Sequence, residues 1–236
     1  MRRFYVPQIP SSGLIDVDES LKHRIGEVLR FSEGEELELV DGNGRIATVT
    51  VVGKGKKINF QIKNIVDQKR TGLRTVALVS LIRRERFDVM VEKAVELGAD
   101  VIVPFVCERS RPYSNGAYDK LKDRWQRIAD QALSQCRRVF KCELNEVLEL
   151  KDINFNDFKD SQFFAFEPGA NGFLPSKIDK SKNIVFAIGP EGGFTEDELK
   201  FMSDKGFSFC SLTDNILRTE TAVMYVLSAI DLCKKL

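Results

Sequence analysis

The chain is short of the residues that build metal centres and disulfide frameworks. Its 236 residues include one histidine, His23, and five cysteines, an odd number with no C-x-x-C pair. A zinc site would have to be assembled from scattered thiols, so no metal is expected. Cys107, Cys136, Cys142, Cys210 and Cys233 read as reduced thiols of a cytoplasmic protein. No apolar run reaches the ~18 residues of a membrane span, and no apolar core follows Arg2 and Arg3 as it would in a secretion signal. The G-x-x-x-x-G-K-[ST] loop is missing, which removes the phosphate cradle expected of a nucleotide phosphotransferase. An excess of one charge is missing too. With 36 Lys+Arg against 35 Asp+Glu, net charge is +1 and supplies no overall attraction for nucleic acid.

What is present is ordinary in amount and uneven in arrangement. Hydrophobic content of 43% and charge of 30% suit a globular protein of one large or two modest domains. Residues 1–74 carry 13 Lys+Arg against 10 Asp+Glu, and residues 107–142 carry 9 against 4. Residues 143–236 reverse the balance, with 10 against 16. Two basic segments therefore precede an acidic C-terminal part, which fits either an RNA-facing surface or chance clustering on a solvated one.

Hydrophobic periodicity divides the chain. Residues 3–66 read mainly as β, with strands at 36–40, 45–52 and 57–66. The first two are joined by Asp41-Gly42-Asn43-Gly44, a hairpin signal. Gly42-x-Gly44-x-x-Ala47 nominally matches a dinucleotide fingerprint, but a strand rather than a helix follows it. A helix over 18–29 places Leu21, Ile25, Val28 and Leu29 on one face, and the sum predicts a small β-barrel. Residues 67–74 are polar, contain a glycine and read as a linker. Strands at 76–81, 101–106, 162–166, 184–188 and 207–212 then alternate with helices at 86–97, 117–135 and 219–234, which predicts an α/β domain with a mostly parallel sheet. The last helix has little polar face and must be buried on more than one side, within its domain or at a subunit interface. Arg124, Trp125 and Arg127 read as parts of an amphipathic helix rather than as base-stacking residues.

Two loops carry the chemistry. The strand at 184–188 runs into Gly189-Pro190-Glu191-Gly192-Gly193-Phe194, and a helix begins at Thr195, where Thr195 and Glu198 form a capping box. Glycines at such a turn let backbone approach a ligand; the alternative is that they only make a tight turn. The strand at 207–212 repeats the layout, passing through Asn215-Ile216-Leu217-Arg218 into a helix at Thr219. Two such loops can face each other and build one small-molecule pocket at the strand C-termini.

G-P-E-G-G-F and the later I-L-R-x-E-T-A resemble the cofactor loops of the 16S ribosomal RNA uridine-N3 methyltransferases of the knotted SPOUT superfamily. The resemblance runs nearly the whole length, through Arg2-Arg3-Phe4-Tyr5-Val6, His23 with Val28-Leu29-Arg30, Val40-Asp41-Gly42-Asn43-Gly44, Lys93-Ala94-Val95-Glu96-Leu97-Gly98-Ala99, Pro104 and Glu108-Arg109-Ser110. It implies an α/β chain with a PUA-like β-barrel over 1–70 and a SPOUT domain with a deep trefoil knot over 71–236. It also implies a homodimer formed through the knotted domain, a small-subunit ribosomal RNA substrate and S-adenosyl-L-methionine as cofactor. Around that cofactor it places Phe166, Glu167, Ile188, Gly189, Pro190 and Glu191 on one side, and Gly192, Gly193, Leu212, Asn215, Ile216 and Leu217 on the other. A valine at Gly192 is expected to fill the adenine approach. Arg218 is expected to stabilise charge on a uracil carbonyl, with Glu220 or Glu191 accepting a proton or orienting that arginine; for Glu220, stabilisation of a helix N-terminus is an equal reading. The RNA surface is expected to combine Arg2, Arg3, His23, Arg30, Arg109 and Arg138. One departure stands out: where the family has E-Q-S-G-R and then a proline, this chain reads Ser134-Gln135-Cys136-Arg137-Arg138, so Arg137 replaces a small residue and the proline is absent.

Overall fold

The computed structural model describes residues 1–53, 58–111, 118–170 and 178–235. The expected strand start at Lys57 and helix start at Ala117 lie outside them. The chain forms two compact units, one of residues 1–71 with 130–141 and one of residues 72–129 with 142–236. The change at 71/72 falls inside the polar segment read as a linker. The later segment, 130–141, carries no sequence mark of belonging with the first unit.

The first unit is built on strands β1 (Arg3–Tyr5), β2 (Leu14–Ile15), β3 (Glu36–Val40), β4 (Arg45–Val52) and β5 (Asn59–Asp67), paired in the order β1-β3-β4-β5-β2. The β3–β4 turn forms because Asp41 Oδ1 accepts from the N–H groups of Asn43 (2.7 Å) and Arg45 (3.1 Å). Gly42 and Gly44 take φ of +74° and +111°, open to glycine at little cost. Alternating residues Leu37, Leu39, Val49 and Val51 point into a core shared with Ile25, Ile58 and Phe60.

The expected helix over 18–29 is corrected. Helix α1 (Glu19–His23) starts at an Asp18 cap and continues as a π-helical turn over Arg24–Val28. The wider turn rotates the later residues off the 3.6-residue stripe, so Ile25 is buried while Val28 is exposed.

The second unit holds β6 (Thr75–Ser80), α2 (Arg84–Glu96), β7 (Val101–Val106), β8 (Glu143–Leu144), β9 (Leu148–Glu149), β10 (Ser161–Phe166), β11 (Asn183–Ile188), α4 (Glu196–Asp204), β12 (Phe207–Cys210) and α5 (Thr219–Lys235). Helix α3 (Tyr118–Cys136) passes from this unit into residues 130–141. The sheet order is β12-β10-β11-β6-β7-β8, with β9 also on β7, and every pairing is parallel. Every residue of β6 is buried, as a parallel strand covered on both faces requires. On α3, Leu121, Trp125, Ala129 and Leu133 recur every four residues and are buried; Trp125 packs on Phe87, with ring centroids 4.3 Å apart. Arg124 points outward and pairs with Asp88 at 2.7 Å.

Helix α5 packs against α2, β6 and β11. Its end is pinned by Lys234 Nζ, which donates to Thr75 Oγ1 (2.8 Å) and the Leu73 carbonyl (3.0 Å). Burial covers Ala222, Val223, Val226, Leu227, Ile230 and Cys233, but Tyr225 and Leu232 remain 39% and 59% exposed. Strand β12 stops at Cys210 rather than at the expected 212, which frees Leu212 for the following loop.

Candidate functional site

Strand β10 lies between β11 and β12, and all three run parallel, so their C-terminal ends open on one side of the sheet. From them come Glu167 and Pro168, the loop 189–195 and the loop 211–218. A cavity lies among these segments, with about 630 Å³ of space between its walls, part of it continuous with solvent. Phe166, Ile188, Leu212, Ile216, Leu217 and Ala222 give it apolar walls, and Glu167, Thr213, Asn215 and Thr219 add a few polar side chains. Apolar walls with a few convergent polar groups are the make-up of a site for a small organic molecule.

The two loops are tied together from several directions. The buried Thr219 hydroxyl donates to the buried Gly189 carbonyl at 3.0 Å, joining the start of α5 to the first loop. Glu167 Oε1 accepts from the Phe194 N–H at 3.2 Å, and Arg109 Nη1 donates to the carbonyls of Gly192 (2.8 Å) and Phe194 (3.4 Å). Glu198 completes the capping box by accepting from the Thr195 N–H, and its other oxygen accepts from the Glu108 N–H at 2.8 Å. Arg86, in the first turn of α2, pairs with Glu191 and lies 3.8 Å from Glu220, so one guanidinium faces a carboxylate from each loop region. Burial raises the Glu167 pKa above the ordinary carboxylate range, while the Phe194 N–H and Arg109 pull it partly back.

Most of the residues expected around the cofactor line this cavity: Phe166, Glu167, Ile188, Gly189, Pro190, Glu191, Gly193, Leu212, Asn215, Ile216 and Leu217. Gly192 does not. A Cβ built there meets Arg109 side-chain carbons at 3.3 and 3.4 Å, so a valine would press first on Arg109, which would have to give by a few tenths of an ångström. Gly189 and Gly193 are the constrained glycines, the first because a Cβ would lie 3.0 Å from the Phe194 ring, the second through its φ of +70°. Arg218 is exposed at the foot of α5, without a side-chain partner among the described residues. Glu220 turns to Arg86 rather than to the cavity, and its Oε2 is buried without a hydrogen-bond partner among the described residues.

Arg109, expected on the RNA surface, is exposed and also holds loop carbonyls. In the first unit, Arg2 and Arg3 line one hollow with Arg24 and Arg137, and Arg30 lines another with Phe31 and Glu33. His23 is exposed and Arg138 half-buried, and neither belongs to these two hollows. Sequence reasoning missed Thr219 and Ala222 on the cavity walls, and Arg86. Thr219 carried a signal, since a hydroxyl at a helix start beside a ligand loop invites a hydrogen bond. Arg86 carried none, being one of three arginines in four residues.

Comparison with known proteins decides the family. The RNA methyltransferase domain family matches residues 69–231, and the RNA methyltransferase PUA domain family matches residues 22–63. The chain belongs to the RNA methyltransferase family. Similar proteins include two named ribosomal RNA small subunit methyltransferase E. The one from Bacillus subtilis is 27% identical, covering 98% of this chain and 96% of its own. The one from Aquifex aeolicus is 28% identical, covering 97% and 98%. A Neisseria gonorrhoeae ribosomal RNA small subunit methyltransferase E, solved bound to S-adenosyl methionine, superposes with a TM-score of 0.87 at 27% identity, covering 98% of this chain and 97% of its own. A Legionella pneumophila structure with the cofactor SAM bound gives 0.89, also at 27% identity, covering 98% and 96%. In this RNA methyltransferase family member, no helix among the described residues is long and apolar enough to cross a membrane.

Proposed function

We propose that this chain transfers a methyl group from S-adenosyl-L-methionine to N3 of a uridine in small-subunit (16S) ribosomal RNA. The observation that carries the cofactor reading is the cavity at the ends of β10, β11 and β12, whose two loops are locked by Thr219 and Gly189. The residues fit the group. Ile216 is 85% exposed at the cavity edge, an apolar side chain left for a ring to cover, and Glu167 and Asn215 supply polar contacts beside it. Phe166, Ile188, Leu212 and Leu217 would hold the apolar part, with backbone groups of residues 189–193 reading its edge. When bound, the cofactor supplies an electrophilic methyl group, so the chain's task is mainly alignment.

Arg218 is assigned to charge developing on the target base, because its cation stands at the rim of the loop with no side-chain partner among the described residues. Glu191 and Glu220 share Arg86, which favours a positioning role for both over proton acceptance. A trefoil knot, a closed PUA-like barrel and a cytoplasmic location belong to the same reading. So does a homodimer, supported by apolar side chains left 39–59% exposed on the packed pair α2 and α5: Val89, Tyr225 and Leu232.

The test incubates purified protein with S-adenosyl-L-methionine and unmethylated small ribosomal subunits, then digests the RNA for nucleoside mass spectrometry. A 3-methyluridine peak is expected, and Arg218→Ala is expected to bind the cofactor normally while losing most of that peak. Cofactor binding without any new methylated nucleoside would move the reading to another RNA or to a non-catalytic binding role. Unchanged turnover in Arg218→Ala would remove its assigned part.

A further inference from the structure

Two non-glycine residues among those described have positive φ, Arg30 at +55° and Arg137 at +61°. Arg137 immediately follows the last residue of α3, the position where helices commonly turn left-handed and where glycine is the usual occupant. An arginine there bears a steric cost that glycine would not, and what its side chain does in return is shown by its neighbours.

Its surroundings say what the task is. Arg137 lines a hollow of the first unit with Arg2, Arg3 and Arg24, edged by the amides of Gln131 and Gln135, and no lining residue is acidic. Arg3 is already engaged: it pairs with Glu38 at 3.1 Å, and its Nη1 donates to the Arg137 carbonyl at 2.6 Å. That bond holds the left-handed turn in place. Arg137 Nη2 donates to the Met1 carbonyl at 3.1 Å, leaving its other N–H groups without partners among the described residues. Arg2 lies over the Phe31 ring at 5.8 Å, and Arg24 is exposed on the π-helical turn with no side-chain partner among the described residues. Three cations thus keep donor capacity around one concave surface with no carboxylate among its lining residues. Fork-shaped donors of this kind suit closely spaced phosphate oxygens.

We infer that this hollow is a phosphate-backbone site for the RNA substrate, and that Arg137 is a substrate-positioning residue held in a strained conformation for that contact. The inference rests on the RNA methyltransferase reading and names a surface within it. Contacts to phosphate orient an RNA without reading its sequence, so the site sets how strongly and in which register the strand is held.

The experiment measures binding of the full chain to unmodified 16S ribosomal RNA over a range of salt concentrations, with melting temperature recorded in parallel. Arg137→Gly is expected to bind less tightly, with the slope of log affinity on log salt reduced by about 0.7–0.9, the value of one lost phosphate contact. The same variant is expected to melt about 2–4 °C higher, because glycine relieves the turn. Arg137→Lys should keep most of the slope, and Arg24→Ala, an exposed change that leaves the core intact, should lower it by a similar step. Lys200→Ala, on α4 of the other unit, should leave it unchanged. Wild-type slopes in both Arg137→Gly and Arg24→Ala would overturn the proposal and leave Arg137 only its bond to Met1. A wild-type protein that neither binds nor methylates the RNA would overturn the methyltransferase reading, and this site with it.

Discussion

Thr219→Val tests the joint between the two ligand loops with almost no change of shape. Valine matches the volume of threonine but cannot donate to the Gly189 carbonyl, now reached at 3.0 Å by a buried hydroxyl. Thr219 is 3% exposed and Gly189 is buried, so little water reaches the carbonyl to replace the lost partner. A buried acceptor left unpaired costs about 1–3 kcal/mol. For a chain of this size that corresponds to a fall in melting temperature of roughly 2–12 °C. Thr219→Ser keeps the hydroxyl and gives up one methyl group, so calorimetry should show a loss of about 1 kcal/mol or less from lost burial alone. Titration calorimetry with S-adenosyl-L-methionine should then separate the pair further. The valine variant loses the lock between the loops, and a tenfold weaker affinity would correspond to about 1.4 kcal/mol of lost preorganisation. The serine variant should bind nearly as wild type. If the valine variant matched wild type in both assays while serine lost stability, the hydroxyl would be idle and the joint would be methyl packing.

Arg109→Ala and Gly192→Val should resemble each other, since the first removes the guanidinium that holds the carbonyls of Gly192 and Phe194 and the second presses on the side chain that carries it. Each should weaken cofactor binding about tenfold, and the double variant should be no worse than either alone, a coupling read from a binding cycle. Additive losses would show that valine acts on the cavity directly. Glu167→Gln tests the buried carboxyl through pH. Its folded pKa is raised, so the native state holds the proton more tightly than the unfolded chain does. Stability owed to this group is therefore intact below the unfolded value, near 4.5, and is lost as pH rises toward the raised folded value. Denaturant titrations across that window should show the glutamine variant gaining on wild type as pH increases. A constant difference between them would mean the carboxyl has an ordinary pKa.

The α/β alternation, the sheet class and the two loops were legible because the longer strands of the second unit are short apolar runs bounded by glycine or polar residues, whereas the two-residue β8 and β9 carry no such signal. Residues 101–106 and 45–52 match their strands end for end. The capping box at Thr195 and Glu198 is local chemistry, and it appears as read. What escaped was set by distant partners. The role of Arg109 depends on carbonyls some 85 residues further along the chain, and that of Arg86 on Glu191 at a separation of 105. Neither leaves a trace in local pattern. The π-helical turn at Arg24–Val28 likewise defeated a 3.6-residue template, because nothing in Ile25 or Val28 announces the wider winding. Gly192 is a related case: a glycine in a ligand loop can face the ligand or a supporting side chain, and local sequence pattern does not distinguish the two.

The make-up of the first unit has a consequence for how the chain emerges during synthesis. Strand β1 is an edge strand, and its Tyr5 N–H is satisfied by Ser134 Oγ at 2.9 Å, while Arg3 bonds the Arg137 carbonyl and Gly42 receives the Lys141 N–H. Those partners are translated only after residues 72–129 have been made. At about 5–20 residues per second, the nascent sheet waits several seconds with that edge unpaired. An open edge is a template for wrong partners. The burden of that interval falls on β1, three residues long, opening with Arg3 and preceded by Arg2, whose shortness and positive charge are what discourage a stray strand from docking there before α3 arrives.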